Sequence, residues 1–488
     1  MAIQTLPGTD ARPVPRTSWA PMAAIAMAQM LLVLNVTTMK VAIDAIATSF
    51  DISASKVKSA VVVYSLAVAA LMTIGAKLDA ALGARRMFRL ALVVFAASMA
   101  VMACSPGPGF MTFAQAAAGA ASGVLVPALV VLISENYAGQ QQARALGWLA
   151  AVQAMSIVPA ILVSGLLATW PGWRYAYGVL VLLALGVHRL SERCRAEASV
   201  EHVHVDKPGA VLAILAVVLI GLGVNNVTDW GFWWARPRAP FSMLGVSPTL
   251  VAIACGALLI NVLLVWSRRL RKAGGAPLIP PEAFETRQRR STLLSMLMIG
   301  LIGAAITYAV PLYIEIIQGR SSLYTAVALL PFAAAGFAAA LVVGGMRRPL
   351  RAGRVASIAC LGVASGTFLL GATLHNDWSD FVVVTGMIVT GAGEGALGTL
   401  LFKLITAGAP RSPDADVTPL CGATDYLAAG VGTALASALI IMVLAMGVQR
   451  ELARDSMLSN AIKAQVDLDN VSFVSNDRLR EALSRTSA

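Results

Sequence analysis

Apolar runs long enough to cross a bilayer recur thirteen times along this chain, at 21–46, 57–78, 87–105, 110–134, 145–169, 173–190, 209–227, 247–266, 292–318, 323–346, 353–374, 380–405 and 419–448. About 20 apolar residues in a helix span the hydrocarbon core, and a helix satisfies its own backbone where lipid offers no hydrogen bonds. The runs are too long for barrel strands and lack a period-two alternation. The expected fold is therefore all-α, a polytopic membrane protein. Composition agrees, with 58% of 488 residues hydrophobic and 13% charged, against roughly 25% charged in a soluble domain. That balance argues against a soluble enzyme.

The net charge of +12 would suggest nucleic-acid binding in a soluble protein. Here the basic residues lie in short connections between runs, where they set orientation, and no groove-binding motif accompanies them. Nucleic acid is not an expected partner. With the N-terminus inside, the inside segments hold Arg12, Arg16, Arg85, Arg86, Arg89, Arg144, Arg189, Arg193, Arg195 and Lys207, the cluster from Arg268 to Arg290, Arg347, Arg348, Arg351, Arg354 and Arg411. The outside loops hold only Lys56, Lys58, Arg174, Arg236, Arg238 and Arg320. Residues 1–20 then form a cytoplasmic tail, and an odd number of crossings puts 449–488 outside. Leu452, Leu458, Ile462 and Val466 give that second tail the spacing of a short amphipathic helix. The start is no signal peptide, because the apolar stretch after it is too long and has no small-residue cleavage site.

Five scattered cysteines with no CxxC spacing imply neither a disulfide framework nor a metal site. His202 and His204 read as part of a solvated loop. No cofactor is expected. Gly393 to Gly398 fits GxGxxG by letter, but it lies inside an apolar run with no strand before it. No Gly-Lys dipeptide exists to build a P-loop. The runs group as six, two and five, with polar inside segments around the seventh and eighth. The expected organisation is a six-helix bundle at 21–190, two inserted helices with flanking loops at 191–291, and a five-helix bundle at 292–448.

Loop motifs add a family. Gly75-Ala-Lys-Leu-Asp79-Ala-Ala-Leu-Gly83-Ala-Arg85-Arg86, between the second and third runs, resembles the G-x-L-x-D-r-x-G-r-r signature of the major facilitator superfamily. Asp79 sits one place early, which turns a helical side chain by about 100°. Other segments are similar to the fourteen-helix drug:proton antiporters of that superfamily. Leu34-Asn35-Val36-Thr37-Thr38-Met39-Lys40-Val41-Ala42-Ile43-Asp44 stands where that family has L-D-x-T-I-V-N-V-A-L-P, so its acid is Asn35, its Asn is Lys40 and its Pro is Asp44. The family's R-x-x-x-G becomes Gln115 and Gly119. Its antiporter motif survives as Val158-Pro159 and Ser164-Gly165, and G-W-R-W-x-F as Gly172-Trp173-Arg174-Tyr175-Ala176-Tyr177. Asp229 to Trp233 matches an aromatic helix end, and Leu312-Tyr313-Ile314-Glu315 matches L-Y-L-Q. Residues 470–483 look like the outer loop before the family's last helix, which is missing here, so a shortened chain is expected.

Ionisable groups inside the bilayer are the strongest pointers from the residues themselves. Each costs at least about 2.5–3.5 kcal/mol at a helix centre, so each should have a use or a partner. Glu394, in Gly391-Ala-Gly393-Glu394-Gly395, is the deepest. It reads as a proton or cation carrier, or as a structural acid hydrogen-bonded to a neighbouring helix. Asp44 and Asp425 are further proton-coupling candidates. Lys40 and Asp44, four apart, should share a helix face, as a substrate-anion site or a helix-locking ion pair. Asn35, Lys40, Gln115, Gln153, Asn225 and Glu315 are candidate cavity residues, with Glu315 placed toward the rim. Gly75, Asp79, Gly83, Arg85, Arg86, Pro159, Gly165 and Lys403 are candidates for gating, with Lys403 and Asp425 as an inner gate pair or Lys403 simply snorkelling.

What the resemblance implies is alternating access about a midplane site, with proton-driven export of amphipathic or lipophilic molecules through a bacterial inner membrane by a monomer. Loss of the acid at Asn35 and of the arginine at Gln115 leaves open an uncoupled facilitator or a lipid or metabolite transporter. A non-transporting sensor or scaffold is a third reading.

Overall fold

The computed structural model describes residues 18–194, 206–242, 245–346, 352–372, 380–407 and 417–454. His202, His204, Arg411, most of the N-terminal tail and the expected amphipathic helix beyond residue 454 lie outside the described residues. Among those described, the apolar runs are helical and extended pairing is limited to an isolated bridge between Trp234 and Val246.

The first run divides into α1 (Ala20–Val41) and α2 (Ile43–Phe50). The break is at Ala42, with φ −107° and ψ 22°. Lys40 and Asp44 therefore belong to different helices, where the sequence led us to expect one. Next come α3 (Ala54–Leu82), α4 (Ala84–Ala103), α5 (Pro108–Asn136), α6 (Gly139–Leu167) and α7 (Trp173–Leu190). Among the described residues twelve stretches are long and apolar enough to cross a membrane, and one of them, Arg144–Arg193, is 50 residues long. It contains both α6 and α7. Between them Trp170 is extended and Gly172 has φ 132°, a conformation that side chains with a Cβ rarely adopt. The separate crossings thus agree with the thirteen runs. The second part of the chain holds α8 (Lys207–Asn225), the single turn α9 (Val227–Trp230), α10 (Pro248–Lys272), α11 (Arg287–Leu312), α12 (Ser322–Gly345), α13 (Ala352–Ala372), α14 (Asp380–Ala407) and α15 (Thr418–Arg454). At 37 residues, α15 is the longest described helix.

Two groups of helices form around small residues. In the N-terminal group α3 packs along α5, α4 along both α5 and α7, and α1 along α6. A Cβ on Gly75 would fall 2.8 Å from Val124 Cα, and one on Gly123 would fall 3.0 Å from Leu71 Cβ. In the C-terminal group α14 packs on α12 and α13, and α11 packs on α15. In lipid the hydrophobic effect does not pull helices together, so close backbone approach and dispersion carry the packing. The groups meet where α3 lies along α15 and α6 along α12.

The pair α8 and α10 packs together and rests on α3. Asp206 organises its start. The side chain accepts hydrogen bonds from the Gly209 N–H at 2.9 Å, the Trp266 indole N–H at 3.0 Å and the Leu278 N–H at 3.3 Å. One carboxylate thus caps α8, ties α10 to it and pins the next connection. Caps contribute about 1 kcal/mol, and bonds to a charged acceptor about 1.5–3 kcal/mol. Asp206→Ala is expected to speed amide exchange across Lys207–Asn225 at least tenfold while α3 stays protected. Hydrogen exchange with mass spectrometry on the membrane-embedded protein checks this. Equal exchange in both proteins would refute it.

Candidate transport site

The polar groups inside the helices gather where the two groups face each other. For orientation, the basic-loop end is the one that carries Arg85, Arg86 and the Arg287–Arg290 segment.

Glu394 sits on α14 because its glycine neighbours face elsewhere. A Cβ on Gly391 would run into Phe332 of α12, and one on Gly395 would press on Gly336 of the same helix. One on Gly393 would lie 2.8 Å from Val363 of α13. With those faces against α12 and α13, the Glu394 carboxylate is directed at Gly303 of α11, where a Cβ would collide with it. Its Oε2 is buried and has no hydrogen-bond partner. Asp425 of α15 lies beside Gly300, one turn along α11. Asp425 presents solvent-accessible surface.

Lys40 completes the cluster from the N-terminal group. Its Nζ donates to Thr307 Oγ1 at 2.9 Å, and it lies in the electrostatic field of both Glu394 and Asp425. Neither carboxylate is within ion-pair distance of it. One cation and two acids from three helices therefore share a site within the membrane span. Thr307 was missed from the sequence because a lone Thr in an apolar run usually bonds its own helix. This one does so too, donating to Gly303 O at 2.8 Å, and accepts from Lys40 as well.

The other candidates fall into separate places. Asn35 and Gln115 are fully buried and bond each other reciprocally, at 3.3 and 3.4 Å. Nearby, Tyr64 donates to Ser122 at 3.0 Å. That network joins α1, α3 and α5. Glu315 follows α11 in a π turn and is 2% exposed. Its Oε2 accepts the backbone N–H of Asp44 at 3.1 Å, so it is buried between the groups and not on the rim. Gln153 is exposed on α6. Asn225, at the end of α8, donates to Ser59 at 3.2 Å, and its carbonyl accepts from Lys58 at 3.2 Å. Lys58 is 1% exposed, which corrects its reading as a loop residue.

At the basic-loop end, Gly83 separates α3 from α4 with φ 88°. Asp79 is buried with both carboxylate oxygens unpartnered, and it lies near Glu135 of α5. Arg85 donates to Glu192 O at 3.0 Å, Arg89 approaches the Glu192 carboxylate at 3.8 Å, and Arg86 is exposed. Pro159 lies within α6, and Gly165 meets Ala326 of α12. Lys403 donates to Val343 O at 2.9 Å and also to Gly344 O, whereas Asp425 faces Lys40. The structure thus brings Lys40, Glu394 and Asp425 together and directs Lys403 to α12. Among the described residues no cluster of His, Cys, Asp and Glu suits a metal ion.

One cation and two acids therefore stand together inside the helix assembly, an arrangement whose net charge depends on how many of the acids are ionised.

Known proteins agree with this architecture. The Major Facilitator Superfamily pattern matches residues 25–197. A cephamycin export protein of Amycolatopsis lactamdurans is 26% identical over 401 residues, covering 80% of this chain and 79% of its own. A puromycin resistance protein of Streptomyces alboniger is 26% identical over 430 residues, covering 86% and 74%. In fold, the chain is similar to a partially occluded inward-open xylose transporter of E. coli, with a TM-score of 0.55 at 12% identity over 86% of this chain and 91% of that one. The chain is thus similar to the Major Facilitator Superfamily over residues 25–197 and, across most of its length, to proteins named for export of and resistance to antibiotics.

Proposed function

We propose that this protein is a secondary active exporter of amphipathic or lipophilic small molecules, driven by protons and working by alternating access. The observation that carries the proposal is the cluster of Lys40, Glu394 and Asp425 on helices of spanning length, set between two helix groups that meet along α3–α15 and α6–α12. Such a cluster is costly in lipid and is explained by exchange of charge. The two groups act as bundles that rock about it, with α8 and α10 as an added pair, as in the fourteen-helix antiporters. Asn35 and Gln115 hold no titratable group, so proton handling falls to the C-terminal side. The relatives named for cephamycin export and puromycin resistance support export of a small organic substrate. The excess of basic residues at one end supports a cytoplasmic N-terminus in the inner membrane.

The test uses purified protein in liposomes loaded with a pH-sensitive dye. A pH gradient is imposed and a panel of lipophilic drugs is added. Substrate-triggered proton movement is the expected result. Labelled substrate crossing with no proton movement would replace this reading with a facilitator. Movement of neither would rule out transport of the panel and return the sensor or scaffold reading.

A further inference from the structure

The break at Ala42 places the start of a helix at the junction of the two helix groups. Asp44 is the second residue of α2, where helix N–H groups lack intrahelical acceptors. Glu315 supplies one from the other helix group, at 3.1 Å. The carboxylate is 2% exposed, with the hydroxyls of Ser322 and Thr325 alongside. An anion at a helix N-terminus is favoured by both the free N–H groups and the helix dipole.

This contact has company. Val41 packs with Ile306, Val310 and Ile314 of the C-terminal group. The Leu323 N–H donates to Thr169 Oγ1 at 3.1 Å. These contacts lie toward the end opposite the basic loops. Lys40 and Asp44 are two clips from one stretch of chain, engaging Thr307 and Glu315 on one stretch of its partner.

We infer that Glu315 is a positioning residue: its carboxylate caps α2 across the interface and latches the two helix groups shut at the end opposite the basic loops. This rests on the alternating-access reading. Opening that end must pull Glu315 away from α2 and leave the helix start uncapped. Releasing Lys40 alone would not do it.

The test is a distance measurement that needs no substrate. Spin labels are placed at Thr48→Cys on α2 and Arg320→Cys before α12, in the full-length protein with its five cysteines replaced by alanine. Pulsed electron resonance then reads the distances in nanodiscs. Glu315→Ala is expected to raise the ratio of long to short distances about tenfold. Asp44→Pro should do the same, because it deletes the N–H in the first turn of a helix, where proline is tolerated. Asp44→Asn keeps the N–H and removes only a like charge beside Glu315, so it should not raise that ratio. Distances that shift with added substrate but not with Glu315→Ala or Asp44→Pro would overturn the latch alone. Distances that no variant and no substrate moves would overturn both the latch and the alternation it rests on.

Discussion

Glu394→Gln is expected to abolish substrate-triggered proton movement in the liposome assay, with a fall of at least tenfold against wild type. The amide has nearly the shape of the acid, and the packing of Gly391, Gly393 and Gly395 is untouched, so the protein still folds. What it loses is the group proposed to gain and release a proton. Asp425 and Lys40 remain, and their charges now cancel permanently. Substrate binding without coupled flux is the expected outcome, measured by fluorescence titration of the variant beside the flux assay. Proton movement at the wild-type rate would exclude Glu394 as the carrier and move attention to Asp425 or Glu315.

Lys40→Met has the second large effect and the opposite electrostatic sense. It removes the cation that faces two acids and leaves Thr307 without its donor. Breaking a buried charge cluster by deleting one partner costs about 3–5 kcal/mol, because the remaining charge is uncompensated. Transport should drop at least tenfold, with lower thermal stability in detergent. Adding Glu394→Gln to Lys40→Met should restore stability, since the excess negative charge disappears with the acid. A double-mutant cycle read by thermal unfolding measures that coupling. Additive losses would mean that Lys40 and Glu394 act separately.

The helices were legible because spanning length and apolarity are properties of sequence alone. Their close packing was partly legible too: glycines around Glu394 announce that neighbouring backbones come near. Asp206 followed by Lys-Pro-Gly could have been read as a helix start, since an acidic cap before a proline in the first turn is a local signal. The break at Ala42 was not legible. Alanine favours helix, and the interruption arises where Val41 and Asp44 engage the opposite helix group. The meeting of Lys40 with Glu394 and Asp425 was hidden for a similar reason. Lys40 is hundreds of positions from either acid, and spacing along one helix says nothing about a face on another. Lys58 shows the converse error. A lysine near a helix start reads as solvated, yet the carbonyl of Asn225 holds this one in a buried site.

The length of α15 has a mechanical consequence. Its 37 residues make a rod on the order of 55 Å long, against a hydrocarbon thickness of about 30 Å. The polar residues Gln449, Arg450, Glu451 and Arg454 fall in its last turns, where such a rod has left the apolar layer. Asp425 lies near the other end of the same rod. A tilt of about 10° around the bilayer midplane would carry the far end through roughly 7 Å. A rod of this length has the proportions of a lever arm: a tilt set off by a change of charge at Asp425 is expected to displace its far end beyond the lipid surface.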